Sequence, residues 1–189
     1  MNQNPLSKPT NQPDSYKTLL VFRKSECVYD ITFYFVSRFL DRSHDRTVDQ
    51  MQQAARSGKQ NIVEGYSDAE GSTEIEHKLT VIAKGSLEEL KEDYKDYLRN
   101  HGLEIWGPQH PKYRMAQPLC RRANDSAWYR RQIEGRCPEE IANIALIVIH
   151  QTLAMLRGLI DYQNRKFLAE GGVKEQRYKA RVDWRNGKR

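Results

Sequence analysis

Residues 50–66 of this chain read QMQQAARSGKQNIVEGY, and this stretch decides the fold. Its apolar and small residues recur every three or four positions, the spacing that places side chains on one face of an α-helix. That face comprises Met51, Ala54, Ala55, Gly58, Ile62 and Val63. Beside it runs a seam of small residues, Ala54, Ser57, Gly58 and Asn61. Small side chains let another helix come close, so we expect a helix inside a bundle, with neighbours on more than one side.

The same periodicity continues along most of the chain. It predicts four long helices, the second of them ended by Gly65, at residues 16–41, 45–66, 73–100 and 138–169. A connector at residues 103–137 is rich in proline and glycine, and a short helix is expected to begin there at Asp125 or Ser126. We expect an all-α chain with a disordered lead-in at 1–15, one four-helix domain at 16–172 and a basic tail at 173–189, part of which can be helical.

Charge is unevenly distributed along the 189 residues, of which 38% are hydrophobic and 30% are charged. The net charge is +6, and residues 164–189 account for all of it with nine Lys/Arg against three acids. Residues 111–136 hold seven Lys/Arg against two acids, or +5, whereas residues 68–96 hold nine acids against four lysines, or −5. Such asymmetry indicates which surfaces attract charged partners rather than which fold forms.

No pattern of residues indicates an enzyme. The sequence lacks a phosphate-binding glycine loop and a recognisable nucleophile motif. Glu74 and His77 have the spacing of one half of a dinuclear metal site, but such a site needs a second Glu-x-x-His, and the sequence contains no second copy. We therefore expect no catalysis, no metal and no cofactor.

Membrane insertion is not expected either. The longest uninterrupted apolar run covers residues 144–149, which is too short to span a bilayer, and the N-terminal residues are polar. The three cysteines lack metal-binding spacing, and an odd number favours reduced thiols. These features predict a cytoplasmic protein. However, the predicted fourth helix is apolar on most sides, and oligomerisation would be the simplest source of cover for it.

Basic residues interleaved with aromatic ones form two candidate nucleic-acid-binding segments. In the connector, two arginine pairs flank Trp128 and Tyr129, and in the tail Tyr178 and Trp184 stand among the cations. Cations suit phosphates and aromatic rings suit stacked bases. The alternative is that the connector neutralises the acidic third helix and that the tail is solvated. The candidate residues are Arg121, Arg122, Arg130, Arg131, Lys174, Arg177, Lys179, Arg181 and Arg185.

Two motifs carry a resemblance to a known family. They are NIVEG at residues 61–65 and IAKGSLEEL at residues 82–90. Together they resemble the four-helix-bundle proteins of intervening sequences in bacterial large-subunit ribosomal RNA genes, and the accessory variability protein of diversity-generating retroelements. The long connector and the EGG run at residues 170–172 are similar to the subgroup described as a four-helix-bundle suffix domain. The structural signature would then be Asn61, Glu64, Gly65, Gly85 and Ser86.

The resemblance implies an antiparallel up-down four-helix bundle with a long basic connector between its third and fourth helices. It also implies a ring, expected to be a homopentamer, with no catalysis. The retroelement relative binds a reverse transcriptase and its RNA through a basic outer surface. In this chain Gln52 and Gln53 stand where the family often has a basic pair, which moves the expected contact to the connector and tail.

Two functional hypotheses follow. The first is a non-enzymatic oligomeric module that binds RNA, DNA or a nucleic-acid enzyme such as a reverse transcriptase through its basic surfaces. The second is a structural oligomerisation or adaptor module whose partner is protein alone. Asn61 and Glu64 allow both a binding site and a hydrogen-bonded network between helices, and the network is the interpretation we favour.

Overall fold

The computed structural model describes residues 15–41, 46–68 and 73–187. Those residues form helices and loops without a β-strand, so the chain is all-α as predicted. A short 3-10 turn at Ser15–Thr18 precedes seven α-helices: α1 Leu20–Phe39, α2 Thr47–Asp68, α3 Thr73–Asn100, α4 Pro111–Arg122, α5 Ser126–Ile133, α6 Pro138–Glu170 and α7 Val173–Arg185. Of the lead-in expected at residues 1–15, residues 1–14 lie outside the described residues, as do residues 42–45 and 69–72, whereas Ser15 belongs to the 3-10 turn.

The predicted helix bounds agree closely for α3 and α6 and differ elsewhere. The first helix begins later than expected, because Leu19 has an extended backbone between the 3-10 turn and α1. Gly65 does not end α2, which continues to Asp68. A Cβ on Gly65 would lie 3.3 Å from both the carbonyl oxygen of Glu76 and Cβ of Leu79. The glycine therefore serves close packing of α2 on α3 and not helix termination.

Four helices surround the main core. α1 contacts α2 and α6, and α3 contacts the same two helices from the other side. Gly58 faces Leu87 while Gly65 faces Glu76, so α2 and α3 run in opposite directions. The Gln163 side chain donates to Thr80 Oγ1 at 3.1 Å, and beyond the far end of α3 the backbone N–H of Trp106 donates to Asn143 at 2.7 Å. α3 and α6 are therefore antiparallel as well.

The connector between α3 and α6 contains two helices where one was expected. α5 begins as predicted, because the Asp125 carboxylate accepts a hydrogen bond from the Ala127 N–H at the N-cap. α4 was not predicted, and it contains Pro118 in its interior. It begins with Pro111 in its first turn, where proline costs little, and the His110 ring caps it by accepting from the Lys112 N–H.

The connector supplies the cover that α6 needs. α4 packs on α6 and α5 packs on α1, so the two helices lie over the seam between α1 and α6. Every residue from 141 to 149 is buried within the single chain. Residues 141–149 therefore need no second subunit for cover, and oligomerisation stays a prediction. Self-assembly must rest on other observations.

One stretch of the described chain, the helical run Pro138–Arg185, is long and apolar enough to cross a membrane by length and composition. Within its most apolar window 56% is buried inside the fold. Core helices of soluble proteins meet the same criterion, so this is weak evidence for a span. The expectation that the protein has no membrane partner stays a prediction.

Gly58 in the small-residue seam of α2 and Gly158 in α6 differ in how closely they are packed, and substitutions at the two positions can be compared. A Cβ on Gly58 would lie 2.6 Å from Cδ2 and 2.8 Å from Cγ of Leu87, which is fully buried. A Cβ on Gly158 in α6 would meet no atom within 4 Å. We expect Gly58→Ala to lower the free energy of unfolding by about 1 kcal/mol or more through overpacking. Gly158→Ala should raise it by about 0.5–1 kcal/mol, because alanine favours helix. Urea denaturation measures both, and stabilisation by both would contradict close packing at Gly58.

Candidate nucleic-acid interface

The four connector arginines occupy the last turns of α4 and α5. Cations are favoured at these positions by the partial negative charge of a helix C-terminus, so their placement has a structural reason independent of any ligand. Arg121, Arg122 and Arg131 are exposed, and none forms an ion pair within the described ranges. These three side chains are therefore free to contact an anion.

Arg130 differs from the other three because it fastens α5 to α1. Its guanidinium lies 3.2 Å from the Asp30 carboxylate, which also accepts a hydrogen bond from the Ser126 hydroxyl. The arginine is largely exposed, so the pair contributes little stability. The Asp30 carboxylate nevertheless neutralises one of the four connector arginines that were predicted to bind phosphate. The connector surface is correspondingly less basic than its composition predicts.

Lys24 of α1 is the residue that anchors the connector, a role that no pattern in the sequence predicts. Its side chain is fully buried, and Nζ donates to the carbonyl oxygens of Cys120 and Ala123 at the end of α4. The Tyr129 hydroxyl donates to the same two oxygens, at 3.0 and 3.3 Å. An ammonium group and a phenol thus satisfy the final carbonyls of α4, beside the free cations Arg121 and Arg122.

Burial shifts the ionisation of this cluster. It lowers the pKa of the Lys24 ammonium, and the adjacent thiols of Cys27 and Cys120 oppose that shift. Burial likewise raises the pKa of Cys27 to about 12 and raises the pKa of Cys120. Thiols with raised pKa values are poor nucleophiles, since the thiolate is the reactive form. Both buried cysteines therefore have a packing role.

α7 holds the other predicted cations on a regular helix. Lys174, Arg177, Arg181 and Arg185 are separated by three, four and four residues, so they form one stripe along the helix. Tyr178 lies within that stripe, four residues after Lys174. All are exposed, and no ion pair engages the four cations in the part of the chain that the structure describes. Lys179 falls on a different side of the helix, near Glu175.

Two glycines fix where α7 begins. Gly171 ends α6 with a φ of 76°, a conformation that residues with a side chain rarely adopt. Gly172 is buried, and a Cβ there would lie 3.2 Å from the Glu74 carboxylate at the start of α3. Its N–H donates to the Glu175 carboxylate at 3.3 Å, which closes the first turn of α7. The stripe therefore starts next to the N-terminal turn of α3.

The signature residues on α2 and α3 have separate roles. The Asn61 amide donates to the carbonyl and the hydroxyl oxygens of Ser57, at 2.8 and 3.0 Å. The Ser57 hydroxyl is in turn 2.9 Å from the Ser86 hydroxyl on α3. Asn61 thus belongs to a network between the helices, as we favoured. Glu64 is exposed and outside that network, and Gly85 is exposed with no atom within 4 Å of an added Cβ.

A metal site has no support in the geometry of the described residues. Among them, no three or more His, Cys, Asp or Glu side chains converge in a way that could hold a metal ion. The fold therefore brings no third metal ligand to Glu74 and His77 among the described residues.

Removal of the Lys24 anchor should loosen the connector. We expect Lys24→Ala to lower the free energy of unfolding by about 2–4 kcal/mol, through a buried cavity and the loss of charge-assisted hydrogen bonds. The exposed Lys78 offers the control, and Lys78→Ala should stay within about 0.5 kcal/mol of the parent. Urea denaturation measures stability, and hydrogen exchange of α4 and α5 locates the effect. Equal losses in the two variants would show that Lys24 is not an anchor.

Comparisons of the chain with protein-family models, with curated proteins and with solved structures find no match. Membership of the family that the motifs resemble therefore stays a prediction.

Proposed function

We propose that this chain is a non-enzymatic helical module that binds RNA or DNA through its basic surfaces. The observation that supports this best is the stripe on α7, where four exposed cations share one helix face and lack carboxylate partners among the described residues. Cations that serve only to stabilise a fold normally have partners or lie at helix ends. A solvated stripe of four is better suited to a polyanion.

The dimensions of the stripe fit a run of phosphates. Lys174 and Arg185 are eleven residues apart, which corresponds to roughly 16 Å along an α-helix. Arginine contacts phosphate oxygens with two hydrogen bonds at once, and three of the four cations are arginines. Tyr178 and Trp184 are 62% and 77% exposed, so their rings are accessible for stacking on unpaired bases. Arg121, Arg122 and Arg131 would extend the same type of contact.

The architecture is proposed to be an antiparallel up-down four-helix bundle formed by α1, α2, α3 and α6. In this interpretation, α4 and α5 belong to the long connector between the third and fourth bundle helices. The resemblance in residues 61–65 and 82–90 supports assembly into a ring, with a homopentamer as the expected form, in the cytoplasm. A reverse transcriptase, or another enzyme that acts on nucleic acid, is the protein partner that the resemblance suggests.

The proposal is tested by salt-dependent binding to a labelled structured RNA and to a single-stranded DNA. Fluorescence anisotropy of the full chain at about 50 and 200 mM salt should show affinity falling steeply with salt, because bound phosphates release counterions. We expect Arg181→Glu to weaken binding about tenfold and to reduce the salt slope by about one phosphate contact. Lys179→Glu makes the same change of charge off the stripe and should cost about threefold or less.

Three outcomes would count against the proposal. If the chain bound neither nucleic acid, the proposed function would be refuted. Binding whose affinity did not change with salt would refute its electrostatic basis. Equal effects of Arg181→Glu and Lys179→Glu would show that net charge acts without the stripe. Circular dichroism of both variants establishes that the helices are retained.

A second candidate is a protein oligomerisation module that does not bind nucleic acid. The observation that favours it is an exposed apolar patch on α3, where Val81 and Ile82 are 45% and 41% exposed beside the open Gly85. An exposed glycine lets another helix approach closely. We expect Ile82→Glu to convert an oligomer into a monomer of 22.2 kDa, measured by light scattering on a sizing column. Leu168→Glu, which places the same charge at an exposed leucine near the end of α6, is the matched control, and a monomeric parent chain would exclude this module.

A further inference from the structure

The connector helices enclose an open groove that the nucleic-acid proposal does not use. The space is about 250 Å³, and its floor is formed by Trp106 and by Ile144 of α6. Met115 and Leu119 of α4 form one wall, and Trp128 of α5 forms the other. We call this space the connector groove. Its volume falls just below the roughly 300–1,000 Å³ typical of small-molecule sites, a size suited to one or two protein side chains.

The α4 wall of the groove is apolar and exposed. Met115 is 70% exposed and Leu119 is 52% exposed, one turn apart on the same face of α4. Single exposed apolar residues are ordinary on protein surfaces, but two that line one cavity form a contiguous patch. Methionine also adapts its shape to different partners. The wall is therefore chemically suited to receive an apolar side chain.

The rim of the groove carries excess positive charge. At one end, Lys112 and Arg136 both contact the Glu140 carboxylate, at 3.2 and 3.6 Å, so a single acid is shared by two cations. At the other end, Arg122 follows Leu119 by one helical turn and is exposed. Arg131 follows Trp128 by one turn on the opposite wall. A ligand with carboxylates at both ends would complement this rim.

The groove suits a peptide better than a nucleobase. A base needs an accessible aromatic face, whereas Trp106 is only 6% exposed and stacks on the His110 ring with a centroid separation of 5.4 Å. The Lys112 ammonium lies 5.3 Å from the centroid of the same indole. The most exposed wall is aliphatic and offers no stacking surface. An apolar anchor side chain is the chemistry that the groove accommodates.

We propose that the connector groove is a docking site for an acidic amphipathic helix of a protein partner. One or two bulky apolar residues of that helix enter the groove, and its flanking Asp or Glu side chains pair with the rim cations Lys112, Arg122, Arg131 and Arg136. Lys112 and Arg122 are ten positions apart, or roughly 15 Å along α4, which matches about three turns of a partner helix. This proposal is independent of nucleic-acid binding by α7, but it competes with a nucleic-acid contact for Arg122 and Arg131, which it assigns to a protein partner.

The test uses the full chain and a defined probe. The probe is a fluorescein-labelled helical peptide of fifteen residues, with Leu, Trp and Leu at positions i, i+3 and i+7 and glutamate at most other positions. One control peptide replaces the three anchors with alanine at unchanged charge, and another replaces the glutamates with lysine. Fluorescence anisotropy should show binding of the probe, with each control peptide at least about tenfold weaker.

Two matched pairs of variants locate the site. Leu119→Glu should weaken probe binding by about tenfold or more, whereas Leu168→Glu, at a leucine that is 82% exposed near the end of α6, should leave it unchanged. Arg122→Glu should weaken binding several-fold more than Arg121→Glu, since the preceding residue points away from the groove on α4. These four residues are exposed, and circular dichroism checks that each variant remains helical.

We expect Leu119→Glu and Arg122→Glu to lose probe binding. The matched controls Leu168→Glu and Arg121→Glu should retain it. Equal affinity for the probe and its alanine control would overturn the proposal, because charge alone would then explain the contact. Displacement of the bound probe by RNA, together with loss of RNA binding in Leu119→Glu, would overturn it in favour of a nucleic-acid site. Self-association of the parent chain that Leu119→Glu abolishes would assign the groove to a second copy.

Discussion

The architecture depends on the burial of residues 141–149 of α6 on every side. A helix with apolar residues all round its first three turns must be covered all round, and α1 and α3 of the main core provide only part of that cover. The two connector helices provide the remainder by lying over the seam between α1 and α6. Once they are there, the end of α4 comes next to α1, and its last carbonyl groups must be satisfied away from water. The buried ammonium of Lys24 meets that requirement.

This arrangement separates the surfaces that hold the fold from those available to partners. Cations at the connector divide into those that bind groups of the chain itself, such as Lys24 of α1 and Arg130 of α5, and Arg121, Arg122 and Arg131, which do not. The tail has no such division, since its four stripe cations all face solvent. A protein ligand in the connector groove and a polyanion on α7 would use different helices. One molecule could then bring a protein and a nucleic acid together.

Much of the fold could be predicted from periodicity alone, because α3 and α6 are long and strongly amphipathic or apolar. α4 could not, because Pro118 lies in its interior, where proline disfavours a helix, and Cys120 is its one buried residue, so the apolar periodicity is weak. Glycine commonly follows the end of a helix, yet Gly65 lies inside α2, where it allows close packing on Glu76 and Leu79. Lys24 was missed because lysine is almost always exposed, and only the position of α4 shows what its charge does.

The two candidate binding surfaces could likewise be predicted only in part. The stripe on α7 could be anticipated as basic residues, but its shared face requires the tail to be helical, which high charge and low hydropathy did not indicate. The connector groove is formed by residues from four separate segments, so no local pattern in the sequence points to it. Features that depend on the periodicity of one helix could be predicted from the sequence. Features that depend on which segments pack against each other in the fold could not.

α7 has no buried side chain, and two glycines separate it from the helices that form the core. Substitutions along it are consequently almost free of cost to folding, in contrast to those in α2 or α6. The ligand preference of this helix can therefore drift over generations while the architecture behind it is conserved. In related chains we would look for rapid divergence in this segment beside a slowly changing core, as in proteins whose recognition element evolves separately from its scaffold.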